Sequence, residues 1–210
     1  MSLNLARRER HDLCDLAVLL GADEPTLCGD WTVHQLLAHL FVREHRPIGA
    51  VGILVPRLGG LTERSMARAE RLDLGVLAQK VREPGLTPYA LKPVEVLINT
   101  LEYVVHHEDL RRAQPGWQPR TLSDGDLDTV WRTVARAGRL LVRPAGVPVV
   151  IRRSDTGATT TLRGGDSPVT CTGPVIDVAL FLFGRTAVRD LSFEGPDDAI
   201  ARLRGSDLGI

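Results

Sequence analysis

A chain of 210 residues can bury a substantial core, as one domain or as two small ones. Lys plus Arg equals Asp plus Glu at 26 each, with 43% apolar and 25% charged residues. That balance gives no basic excess for nucleic acid and no polybasic run for a membrane surface. Cys14, Cys28 and Cys171 are few, odd in number and far apart, so they form neither a disulfide framework nor a CxxC site. A reducing, cytoplasmic setting is expected. The opening stretch MSLNLARRERHDL lacks a signal-peptide pattern. No apolar run approaches the roughly 20 residues of a membrane span.

In chain order, residues 3 to 21 read as a helix. Leu5, Leu13, Leu16, Ala17, Leu19 and Leu20 supply its apolar side, Arg7, Arg8, Arg10 and His11 its solvated face, and Gly21 its stop. After the turn-rich ADEPTLCGD comes WTVHQLLAHLFVREH. Thr32 and Gln35 have capping-box spacing, and Trp31 is placed to staple the helix start. Val33, Leu36, Leu37, Leu40 and Phe41 form the apolar stripe. His34 and His39 flank that stripe on opposite sides, and periodicity does not choose between them. Glu44 and His45 are further metal-capable groups near the helix end.

Residues 47 to 92 are harder to read. PIGAVGILVPRLGG suits a packed loop, a lid or a short helix from Ile48 to Val55. LTERSMARAERLDLGVLAQKVRE suits one or two amphipathic helices, and 84 to 92 a connection. The central helix is then PVEVLINTLEYVVHHEDLRRA, residues 93 to 113, with Pro93 at its first position. Val94, Leu97, Ile98, Leu101, Val104, Val105 and Leu110 make its apolar face. Glu102, His106 and Asp109 are spaced i, i+4 and i+7, so they share a strip along the edge of that face. A carboxylate and an imidazole there can meet a third ligand from another helix, as in metal sites of bundle cores. A solvated ion pair is the simpler alternative. His107 points to the far side, toward solvent.

LSDGDLDTVWRTVARAGRLLVR reads as a further helix, capped by Ser123 or Asp124 and ended by Pro144 and Gly146. Leu127, Val130, Trp131, Val134, Ala135, Leu140, Leu141 and Val142 are its expected inward side. Near Pro148 the pattern turns to short β-rich runs split by Asp-Thr-Gly and Gly-Gly turns. GPVIDVALFLFGR reads as a buried helix, TAVRDLSFEG as a strand and PDDAIARLRG as a last helix. The expectation is a mainly α domain over 1–146 and a small α+β domain over 147–210.

Two motifs then carry a resemblance. WTVHQLLAHL is similar to the W-T-V-x-x-L-x-A-H-L helix start of the mycothiol-dependent maleylpyruvate isomerase family, in the DinB-like superfamily. EYVVHHEDL is similar to its E-x-x-x-H-x-x-D-L segment. The tail, from GPVIDVALFLFGR through VRDLSFEG, resembles that family's small sterol-carrier-like C-terminal domain. The resemblance implies an antiparallel four-helix bundle in which His39, Glu102 and His106 bind a divalent metal, and so selects His39 over His34. Zinc is the default, with nickel, iron and manganese as alternatives. It further implies mycothiol as a thiol cofactor and a small electrophilic substrate, for an isomerase or S-transferase. Asp109 is a candidate to orient a ligand; its alternative is an ion pair with Arg112 or Arg43. The cysteines offer no protein nucleophile, and no nucleotide-binding loop or G-x-S-x-G elbow is present. A non-catalytic metal protein, a hydrolase using metal-activated water, and a scaffold whose tail binds a lipid or partner are the competing readings. A homodimer is compatible with any of them.

Overall fold

The computed structural model describes residues 4–45, 59–83, 85 and 99–209. The expected start of the central helix at Pro93 and the loop or short helix expected after residue 46 lie outside these residues. Among the described residues the chain forms eight α-helices and one four-stranded sheet. None of these helices is long and apolar enough to cross a membrane.

Helix α1 spans Leu5–Leu20. Asn4 caps it, its side chain accepting from the Arg7 N–H at 2.9 Å, and Gly21 ends it at φ 101°. Its buried face runs through Ala6, Arg10, Leu13 and Ala17, a strict helical stripe with an arginine in it. The expectation that Arg10 is solvated is therefore corrected: it is 1% exposed, while Leu19 is 81% exposed. A buried acceptor reverses the assignment that side-chain polarity suggests. Arg10 Nη1 and Nη2 donate to the two oxygens of Glu44 at 2.7 and 2.8 Å, and Nη1 also donates to the Val81 carbonyl.

Helix α2 spans Val33–His45. The Thr32 N–H donates to Gln35 Oε1 and the Gln35 N–H to Thr32 Oγ1, the reciprocal capping box its spacing predicts. Residues 61–83 contribute to two helices, α3 (Gly59–Ala69) and α4 (Leu74–Arg82), the second capped by Asp73. Helix α5 spans Thr100–Arg112. The α1 helix packs on α4 and α5, and α2 on α3 and α4. Leu13, Val33, Leu36, Leu37, Leu40, Leu77, Tyr103 and Leu110 belong to their common core.

The chain divides into two compact units, Met1–Pro119 and Arg120–Ile210. In the second, α6 (Asp124–Leu141) is capped by Ser123 and is followed by a short 3₁₀ turn, Arg143–Ala145. Strands β1 (Val149–Arg153), β2 (Thr159–Arg163), β3 (Val169–Gly173) and β4 (Ser192–Glu194) lie in the order β2-β1-β3-β4. The β1–β2 and β3–β4 pairs are antiparallel and β1–β3 is parallel. Buried helix α7 (Val175–Leu182) and the C-terminal α8 (Asp197–Gly205) complete this unit.

By its packing α6 belongs with the sheet, whereas the change of periodicity near Pro148 grouped it with the preceding helices. It lies against α7 and β2. A Cβ on Gly138 would approach the Leu162 methyls to 2.9 Å, so the glycine permits close helix–strand packing. Periodicity reports local structure and does not say which core a helix joins. Leu140, expected inward, is 64% exposed.

The Arg10–Glu44 pair yields a stability prediction. Arg10→Met removes the bidentate cation from buried Glu44, leaving only Arg43 Nη1 at 3.7 Å, and is expected to cost about 3–5 kcal/mol in urea unfolding. A loss below about 1 kcal/mol would show that Tyr103, Asn99 and Arg43 hold Glu44 without Arg10.

Candidate metal centre

Helix α5 is enclosed on nearly every side. Leu101, Val104, Val105 and Leu110 are buried, and so are His107, Glu108, Asp109 and Arg112. Each buried ionic group has a partner. His107 Nδ1 lies 2.9 Å from Glu9 Oε2 on α1. Glu108 accepts from Arg111 at 3.0 Å and from Arg112 at 2.6 Å, and Arg112 stacks over Trp117. The expectation of a solvated His107 is thus corrected: α1 packs on that side and supplies a buried carboxylate.

On another side of α5, Glu102 Oε1 is the convergence point. His39 Nε2 lies 3.5 Å from it, His106 Nε2 3.4 Å and Arg43 Nε 3.2 Å. The His39 and His106 rings stand edge to face with centroids 5.5 Å apart. One donor atom from each of His39, Glu102 and His106 falls within 4.8 Å of the others. Two ligands held about 2.1 Å from a tetrahedral ion are separated by roughly 3.4 Å, so the spacing around Oε1 suits such an ion. These three side chains are 11–17% exposed, so the cluster sits below the surface but is not sealed.

The electrostatics divide the two imidazoles. Burial lowers the pKa of His39, with the Glu102 hydrogen bond opposing it. Burial also disfavours charge on His106, but acceptors at Asp109 and Glu102 and the Cys28 contact outweigh it and raise its pKa well above the usual histidine range. Glu102 is held well below the usual carboxylate range: burial pushes it up, and Arg43 with the two histidines overcomes that. These neighbours favour the carboxylate form of Glu102 and the cationic form of His106.

His106 Nδ1 lies 2.9 Å from Asp109 Oδ2. A proton on Nδ1, donated to that carboxylate, turns the ring so that Nε2 faces Glu102 and His39. Asp109 itself is 0% exposed, so the arrangement is built into the core.

A tight loop completes the wall. Pro25 and Thr32 form an isolated antiparallel bridge. Thr26 Oγ1 donates to the Trp31 carbonyl and accepts from the Cys28 N–H, and the Leu27 N–H donates to the Asp109 carbonyl. This brings the Trp31 ring to 5.2 Å from that of His39. It also brings Cys28 Sγ to 3.0 Å from Asp109 Oδ2 and 3.6 Å from His106 Nδ1. Cys28, His106 and Asp109 form a second group of metal-capable atoms, through the other nitrogen of the same imidazole. Sequence reasoning missed Cys28, because 78 residues separate it from His106 and no spacing signals the contact.

The remaining candidates are engaged elsewhere. His34 Nε2 lies 3.0 Å from the Leu72 carbonyl, and His45 Nδ1 3.2 Å from that of Phe41. Glu44 is held by Arg10, Asn99 and Tyr103.

The chain thus joins a mainly helical unit, which carries the His39–Glu102–His106 cluster, in sequence to a small α+β unit. The crystal structure of a mycothiol-dependent maleylpyruvate isomerase is similar over 90% of both chains, with a TM-score of 0.62 and 16% identity. A histidine-to-alanine mutant of that isomerase matches over the same coverage, with a TM-score of 0.61. At this identity the likeness establishes a shared fold and a distant structural relationship. No family model and no curated protein matches the sequence.

The thiols lead to a second prediction. Cys14 and Cys171 are fully buried, and burial pushes both thiols up to about 12. Cys28 is partly exposed. Iodoacetamide at pH 8 is expected to label Cys28 in the native protein and to reach the other two only after unfolding. Peptide mass mapping that finds native Cys14 or Cys171 modified would contradict this burial.

Proposed function

We propose that this chain is a thiol-dependent isomerase or S-transferase whose His39, Glu102 and His106 hold one divalent metal. The supporting observation is the convergence of three donor atoms from two helices, with the second nitrogen of His106 anchored on buried Asp109. In this reading the helical unit is a DinB-like bundle and the α+β unit is sterol-carrier-like. In this proposal the metal-binding role belongs to the unit Met1–Pro119, and the α+β unit begins at Arg120 and not at residue 147 as the sequence suggested. The structural neighbour, described as mycothiol-dependent, supports mycothiol as the thiol and a small electrophile as the substrate.

The donors suit zinc first, and nickel, iron or manganese as well. When bound, such an ion supplies Lewis acidity that lowers the pKa of a thiol. The chain's own residues do the rest. Glu102 and the two imidazoles bind the ion and leave positions for an incoming ligand. Asp109 fixes the tautomer and orientation of His106. Trp31 walls the His39 side and limits water there.

His39→Ala, Glu102→Ala and His106→Ala are each expected to reduce bound metal at least tenfold while keeping the helical circular dichroism. His34→Gln should load metal normally. A small thiol added to the cobalt-substituted protein should give a sulfur-to-metal charge-transfer band. Full metal content in all three variants would refute the site. Metal lost as expected, with no spectral response to any thiol, would reject the thiol chemistry and leave hydrolysis to be tested.

Metal uptake should also depend on pH with a definite sign. His106 is raised well above the usual histidine range without metal. Binding at Nε2 must therefore expel a proton, so affinity rises with pH and falls as the solution is acidified. Titration in weakly buffered solution should detect acid release; uptake with no proton release would contradict a His106 that is protonated before Nε2 binds the ion.

A further inference from the structure

We infer that Arg43 is the residue that adapts this site to an anionic incoming ligand. The inference rests on the metal reading above. Arg43 follows His39 by four residues on α2, so the two share a helix face. Its Nε lies 3.2 Å from Glu102 Oε1, the oxygen on which both imidazoles converge. The guanidinium is also tethered at its far side. Nη1 donates to Asn99 Oδ1 at 2.9 Å and lies 3.7 Å from Glu44 Oε1, while Asn99 Nδ2 donates to Glu44 Oε1 at 3.1 Å. With its side chain only 13% exposed and held by these partners, the guanidinium stays beside the donors.

The charge count gives the consequence. Two neutral imidazoles and one carboxylate carry one negative charge, and Arg43 cancels it. A divalent cation at these donors then keeps its full double charge, of which Asp109, behind His106, offsets one. One positive charge is left, which a monoanion matches and a neutral ligand does not. In a site largely removed from water this residual charge is weakly screened. The same guanidinium opposes the cation itself. Arg43 thus lowers metal affinity and raises anion affinity, two effects of opposite sign from one residue.

The test uses the full chain titrated with cobalt(II), then the cobalt-loaded protein titrated with azide, both followed by visible absorption. R43Q keeps a polar side chain and removes the charge; R43K keeps the charge. R43Q is expected to bind cobalt about tenfold more tightly or better and azide about tenfold more weakly or worse, with R43K within about threefold of the unmodified protein in both. If R43Q lacks the native circular dichroism, R43M takes its place with the same expectations. Unchanged affinities in the neutral variant overturn the inference, as does R43K behaving like R43Q, which would make geometry and not charge the cause. Cobalt binding that is abolished by His39→Ala but identical in R43Q sinks this inference alone. Cobalt binding that is absent from the unmodified protein, or that survives His39→Ala unchanged, removes the metal reading and this inference together.

Discussion

The helical unit depends on one constraint: α5 carries ionic groups into a place where ionic groups must be paired. An isolated buried charge costs far more than a folded domain can tolerate. Glu102, His106, His107, Glu108, Asp109 and Arg112 occupy one short helix, and all but Glu102 are buried. The neighbouring elements supply the answers. Glu9 on α1 meets His107, Arg43 on α2 meets Glu102, and Cys28 in the preceding loop meets Asp109. Packing around α5 is therefore specified by charge pairing as well as by apolar fit.

The same logic joins the core to the site. The Val81 carbonyl, Arg10, Glu44, Asn99, Arg43 and Glu102 form one continuous polar chain. Tyr103, beside Glu102 in sequence, points the other way and donates to Glu44 at 2.9 Å. Burial and the Glu44 carboxylate raise the pKa of that hydroxyl well above its ordinary value, so it remains a donor. The Arg10 guanidinium stacks 4.3 Å from the Tyr103 ring centroid. Glu102 and His106 are thus oriented by groups that are themselves held, Arg43 and Asp109.

Local patterns carry much of the fold. Capping at Thr32, a cap at Ser123 or Asp124, the stop at Gly21, one or two helices over 61–83 and the β-rich tail all follow from rules that act over a few residues. The same rules failed wherever a distant partner decides burial. Arginine polarity suggests a solvated Arg10, yet Glu44, 34 residues away, holds it in the core. His107 lies on the far side of α5 from the Glu102 strip, and that side meets Glu9 on α1 instead of solvent. Periodicity predicts α6 as a helix, but its place in the sheet unit comes from packing against α7 and β2.

The candidate centre divides along the same line. Sequence by itself determined that Glu102, His106 and Asp109 share one strip of α5, since helical spacing is a local property. It left His34 and His39 equivalent about their stripe, and only the motif resemblance separated them. Tertiary structure decided which atoms converge: His39 and Arg43 meet Glu102, and Cys28 meets Asp109, through packing between α2, α5 and the loop before α2. The physical reason is that spacing within one helix fixes a face, whereas the distance between two helices is set by the core that fills the space between them.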